Sequence, residues 1–168
     1  VRAAETIAAQ NLSGIDIDAE VAWVERGEIE DVDGVAPIKG AVDFVKRLPP
    51  GRWAVVTSCT PALARARMAA AGLDTPPNLV TAADVALGKP APDGFLKGAE
   101  MLGVDIADCL VFEDAPAGIE AGERSGADVA VVTAAHIRPL PTRHRTVDDY
   151  DRLGLTVAGD GLRLAWPD

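Results

Sequence analysis

Glu113 and Asp114 stand side by side at the end of a short apolar run, Leu110-Val111-Phe112, after which the chain turns through Pro116 and Gly118 into an amphipathic stretch. In a parallel α/β layer such a run is a strand whose carboxyl end faces ligand, and two adjacent anions there suit a hard cation, Mg²⁺ above all. Two further strand ends carry groups that work on phosphate. Trp53-Ala-Val-Val-Thr57-Ser58-Cys59 closes on hydroxyls followed by backbone N–H groups at a helix start, which can hold a phosphate oxygen. Gly88-Lys89-Pro90-Ala91-Pro92 confines a lysine between a glycine and two prolines, a stiff loop that presents one ammonium. A hydroxyl, an ammonium and a metal clamp, converging on one crevice, would neutralise the oxygens of a transferring phosphoryl group.

The elements that must position these groups follow from hydrophobic patterning. After residue 35 helical and strand-like segments alternate: helix 41–48, strand 53–57, helix 62–71, strand 78–81, helix 92–102, strand 109–112, helix 117–125 and strand 129–132. Repeated strand–helix units with apolar strands imply an α/β fold with a Rossmann-like parallel sheet, covered by helices on both faces. The first 33 residues have a different texture, with helices at 1–10 and 19–30, Asp16 and Asp18 as their caps, and no strand. A turn-rich stretch from Gly34 to Gly40 sets a boundary near residue 35. Beyond His136, residues 138–149 read as loop, and 155–157 with 162–166 around Gly159-Asp160-Gly161 read as a terminal hairpin. Trp23, Trp53 and Trp166 read as packing residues, His136 and His144 as surface loop residues.

Composition bounds the class. A chain of 168 residues, 48% hydrophobic, fits one ordinary domain with a real core. Its formal charge of -10, from 16 basic and 26 acidic residues, disfavours nucleic acid and anionic membrane as partners. Two distant cysteines, Cys59 and Cys109, in a sequence with no recognisable leader and no long apolar span, point to a reducing compartment, the cytoplasm.

The order Val-Val-Thr57-Ser58, then Gly88-Lys89-Pro90-x-Pro92, then Val-Phe-Glu113-Asp114-Ala-Pro-Ala-Gly118 resembles motifs II, III and IV of the haloacid dehalogenase superfamily, over residues 37–133. The phrases around Thr57 and Glu113 look most like the phosphatases of that superfamily that act on glycerol 3-phosphate, 2-deoxyglucose 6-phosphate and related sugar or polyol phosphates. Carried over motif by motif, the resemblance implies that Ser58 and the Cys59 amide hold phosphoryl oxygens and that Lys89 stabilises the nucleophile and its phospho-intermediate. It implies too that Glu113 and Asp114 hold Mg²⁺, and that the partner is a small phosphorylated metabolite. Residues 1–35 would be the C-terminal part of a helical cap and 36–168 the core. The resemblance also has a gap. The family's nucleophile is the first Asp of an Asp-x-Asp motif closing a first, central strand ahead of the cap, and no counterpart is found here. The expectation is therefore a fragment without nucleophile, its first central strand missing and a further N-terminal segment needed to complete the sheet, inactive in isolation.

Other readings compete for the same residues. Asp31-Val32-Asp33 and Asp16-Ile17-Asp18 mimic the absent motif, but Asp31 follows Glu25-Arg-Gly-Glu-Ile-Glu30, a solvated helix and not a buried strand. Cys59 and Arg65 fit the Cys-x5-Arg loop of cysteine-dependent phosphatases, although that loop would have no interior glycine and Ala66 stands where a hydroxyl is usual. A phosphomutase, or a non-catalytic member serving as a binding or assembly subunit, remain as alternatives.

Overall fold

A computed structural model describes residues 2–159 and 161–167. Val1 and Asp160, which the sequence reading put at a helix start and in the hairpin turn, lie outside the described residues, as does Asp168. The elements in chain order are α1 (Ala3–Ala8), α2 (Ile17–Glu30), α3 (Ala41–Arg47), β1 (Val55–Val56), α4 (Pro61–Ala70), β2 (Leu79–Val80), α5 (Asp93–Leu102), a 3-10 turn Ile106–Asp108, β3 (Leu110–Glu113), α6 (Pro116–Ser125), β4 (Asp128–Val132), β5 (Arg145–Val147), β6 (Gly154–Ala158) and β7 (Gly161–Ala165).

The alternation of strand and helix produces parallel pairing, as crossover connections require. β1 pairs with β2, and β3, β4 and β5 form a second ladder in that order. Side chains leave a strand on alternate faces, and the core divides accordingly. Val111 and its register partner Val129 face α5 and α6 in one cluster with Phe95 and Ala121. Phe112 and Val132 face the other way, onto Phe44 of α3, Val147 and Leu153. Both faces are thus covered, as the apolar strands demanded. The antiparallel pair β6–β7 closes over the second cluster with Leu155, Leu164 and Trp166.

Local signals mark the helix ends. Thr60 caps α4, its hydroxyl accepting from the Leu63 amide at 3.4 Å, with Pro61 in the first turn. α6 opens on Pro116 and stops at Gly126, α5 at Gly103, both glycines being left-handed. Close approach of α5 to β1 needs a residue without a side chain: a Cβ on Gly94 would sit 2.9 Å from Val56 Cγ1.

α1 and α2 pack on each other and bury no residue. They touch the α/β layer through α4, where Glu28 pairs with Arg67 at 2.7 Å and Glu25 accepts from the Thr60 hydroxyl. Arg2 adds a second tie, donating to the carbonyls of Ala82 (3.2 Å) and Val85 (2.7 Å).

Four expectations need correction. The stretch 138–149 contains a strand, β5: its single apolar residue, Val147, is too little pattern to see, yet it is 2% exposed once β4 offers a parallel partner. Asp16 caps α2, accepting from the Ala19 amide at 3.1 Å, but Asp18 lies within the first turn. Trp23, expected to pack, is 68% exposed on α2, a helix that buries no residue. His136 and His144 are half-buried and bonded across the fold to Asp114 and Glu123.

Candidate active site

Two strand ends meet at Lys89. β1 ends at Val56 and β3 at Glu113, and although the two strands belong to separate ladders, the Lys89 ammonium donates to both ends: to the Val56 carbonyl at 3.2 Å and to the Glu113 carboxylate in an ion pair. The pair is well shielded, with the lysine side chain 16% and the glutamate 9% exposed. Phe95 of α5 lies under the ammonium, 4.9 Å from ring centroid to Nζ. The stiff Gly88-Lys89-Pro90 loop explains the reach: it has no ladder of its own, and Arg124 of α6 anchors it by donating to the Pro90 carbonyl at 3.1 Å.

Glu113 is turned inward by its own strand end. Its second carboxylate oxygen accepts from the amides of Asp114 (3.1 Å) and Ala115 (3.4 Å), and the carboxyl group lies flat against Gly118, where any Cβ would collide with it. That is why the turn into α6 carries glycine at this place. Asp114 points elsewhere. It is exposed, and its carboxylate makes no hydrogen bond or ion pair among the described residues.

Ser58 lines the same narrow cleft as Lys89, together with Thr57, Gly88, Arg2 and Phe95. Neither its amide nor its hydroxyl has a partner among the described residues. The Cys59 amide, expected to face phosphate, instead donates to the Thr57 hydroxyl at 3.1 Å. Ser58 and Lys89 thus share the cleft and Lys89 ties Glu113 to it, whereas Asp114 follows Glu113 in the chain without lining the cleft. The competing groups lie elsewhere: Arg65 is exposed on α4 and donates to Pro61 of its own helix at 3.4 Å, and Asp31 ends α2, its carboxylate accepting from the Asp33 amide at 3.2 Å.

Among the described residues no three metal-ligating side chains gather. Mg²⁺ nevertheless fits what is present, because it is commonly held by one or two carboxylates and completes its shell with water and phosphate oxygen. Asp114 is a free hard donor, and Glu113 shares its charge between Lys89 and loop amides.

One residue near this cluster was not legible as such. His136 Nε2 lies 2.7 Å from the Asp114 carbonyl. No local spacing announces it, since 22 residues separate the pair and only the β3–β4 ladder brings their loops together.

Parallel strands under helices on both faces, with polar side chains gathered at the strands' carboxyl ends, define a doubly wound α/β protein, a class in which ligands bind at that edge. The model for haloacid dehalogenase-like hydrolases matches residues 3–126, and the chain belongs to that family. Hexitol phosphatase A of Escherichia coli (strain K12) is 41% identical over 124 residues, covering 73% of this chain and 57% of that protein. Glycerol-1-phosphate phosphohydrolase 2 of Saccharomyces cerevisiae is 37% identical over 121 residues, covering 67% and 47%. The chain spans about half the length of the curated relatives it matches. Among solved structures, CbbY from Rhodobacter sphaeroides in complex with phosphate superposes with a TM-score of 0.70 over 89% of this chain and 73% of that one, at 18% identity, a likeness of fold alone.

Proposed function

We propose that these residues belong to a Mg²⁺-dependent hydrolase acting on a small phosphomonoester, a sugar or polyol phosphate. The observation that carries the reading is the Lys89 ammonium bridging the ends of β1 and β3, with Ser58 beside it in the cleft and the Asp114 carboxylate one residue beyond its ion-pair partner. Relatives named for hexitol and glycerol phosphates support the substrate class.

In this reading the phosphoryl group enters the cleft with its oxygens toward the Ser58 hydroxyl and amide, which have no other partner among the described residues. Lys89 brings a fixed positive charge to the developing negative charge without needing to reorganise. Asp114, with Glu113, would hold Mg²⁺, whose contribution is to neutralise phosphate oxygens. Attack comes from an aspartate, which forms an aspartyl-phosphate as the bond to the leaving alcohol breaks, and water then releases phosphate. The proposal places that aspartate on a strand between β1 and β3, each of which has one edge without a strand partner among the described residues; such a segment, from this polypeptide or another, is part of it. Two free thiols, Cys59 and Cys109, accord with a reducing compartment, for which the cytoplasm is proposed. No helix among the described residues is long and apolar enough to cross a membrane.

The test is phosphate release by the natural polypeptide carrying these residues, against a panel of phosphorylated polyols and sugars. Activity should require Mg²⁺ and vanish with EDTA. Asp114→Asn should weaken Mg²⁺ binding at least tenfold, on the order expected for a changed metal ligand environment, whereas Lys89→Ala should lower turnover without weakening Mg²⁺ binding. Metal-independent turnover abolished by thiol alkylation would overturn the reading in favour of Cys59.

A further inference from the structure

We propose that His136 is a positioning residue for Asp114, acting through the Asp114 main chain; the inference rests on reading Asp114 as a Mg²⁺ ligand. His136 sits in the turn after β4, where its amide donates to the Thr133 carbonyl at 2.9 Å. Its ring crosses to the residue that follows β3, with Nε2 at 2.7 Å from the Asp114 carbonyl. A carbonyl oxygen can only accept, so Nε2 carries a proton and donates it. Nδ1 is buried and has no partner among the described residues. The ring therefore makes a single hydrogen bond, and makes it to Asp114.

The sheet explains why the two loops meet. β3 and β4 run parallel in register, Glu113 opposite Val131, so the chain leaving β4 passes beside the chain leaving β3. Asp114 is consequently held on both sides: its amide donates to the Glu113 carboxylate at 3.1 Å, and its carbonyl accepts from His136. Its carboxylate alone is uncommitted. A main chain fixed at both polar groups leaves only side-chain torsions to be ordered when a cation is bound, and less freedom lost means tighter binding. Groups that orient a ligand in this way are worth about ten- to a hundredfold in metal affinity.

The experiment is calorimetric titration of the protein with Mg²⁺ alone, with urea unfolding of the metal-free protein as companion. His136→Leu removes the donor; His136→Gln keeps an N–H at nearly the same reach. His136→Leu should weaken Mg²⁺ binding about tenfold and His136→Gln should restore most of it. A purely structural histidine would shift the urea midpoint in both variants and leave Mg²⁺ affinity unmoved, which overturns the inference. Asp114→Asn separates this from a failure of the underlying reading: wild type and Asp114→Asn binding Mg²⁺ equally would sink both. Should His136→Leu not fold, the wild type supplies its own reading, because ¹H–¹⁵N spectra must place the imidazole proton on Nε2, and a ring protonated on Nδ1 alone refutes the bond.

Discussion

Lys89 and Glu113 show how much one residue's partner decides. Each is charged, each is shielded, and each owes its tolerance of burial to the other. Breaking such a pair from one side leaves an uncompensated charge. Lys89→Ala should therefore lower the free energy of unfolding by about 3 kcal/mol, and Lys89→Met combined with Glu113→Gln should recover part of it, in urea titrations followed by circular dichroism. Tyr150, the single tyrosine of the chain, offers a second test at this scale. Its ring packs 5.2 Å from Phe44 and 5.6 Å from Phe112, and burial, with the charges of Asp114 and Glu113 adding, pushes its phenol from 10.0 up to about 12. The folded state then keeps the proton at a pH where the unfolded chain has lost it. Its contribution is fully present below pH 10 and is lost as pH rises toward 12, amounting to roughly 2 to 3 kcal/mol. Absorbance titration of the phenolate should show the late transition, and the loss should be missing in Tyr150→Phe.

At the scale of elements, the strands of the site are very short: β1 and β2 have two residues each. What aligns them is the helix layer, with α5 pressed on β1 and β2 through Gly94, and α6 on β3 and β4. α2 differs. It has no fully buried residue, so its stability rests on local propensity, on half-buried contacts such as Glu25 with Thr60, and on exposed ones such as Glu28 with Arg67, a pair of modest worth. Gly27 lies inside this helix with open space where a Cβ would go. Gly27→Ala should therefore stabilise α2 by about 1 kcal/mol, visible as a raised thermal midpoint with the Mg²⁺ affinity unchanged. A lowered midpoint would show that α2 packs more closely than described.

Across the whole molecule, protection is uneven. β4 is paired on both sides and buries Val129, Ala130, Val131 and Val132, whereas α1 and α2 bury no residue. Opening free energies should follow that order. In hydrogen exchange the amides of β4 should be slowest and those of α1 and α2 fastest, with β1 and β2 between them. If α2 proved as protected as β4, the two-part organisation proposed from the resemblance, cap residues 1–35 on core residues 36–168, would be wrong.

The sequence by itself determined the order of elements and the residues worth watching. Continuous apolar runs and glycine or proline stops mark strand and helix ends within a few residues, and Ser58, Lys89, Glu113 and Asp114 stand out because strand ends are where such groups are exposed. These are local signals, carried by neighbours in the chain. Only the tertiary structure decided what pairs with what: that Lys89 spans two ladders, that Glu113 folds back on Gly118 while Asp114 stays free, that Val147 makes a strand, and that His136 reaches Asp114. The reason is physical. The contacts of Lys89, Val147 and His136 join residues far apart in sequence, so their energy depends on packing that brings them together and leaves no periodic trace along the chain.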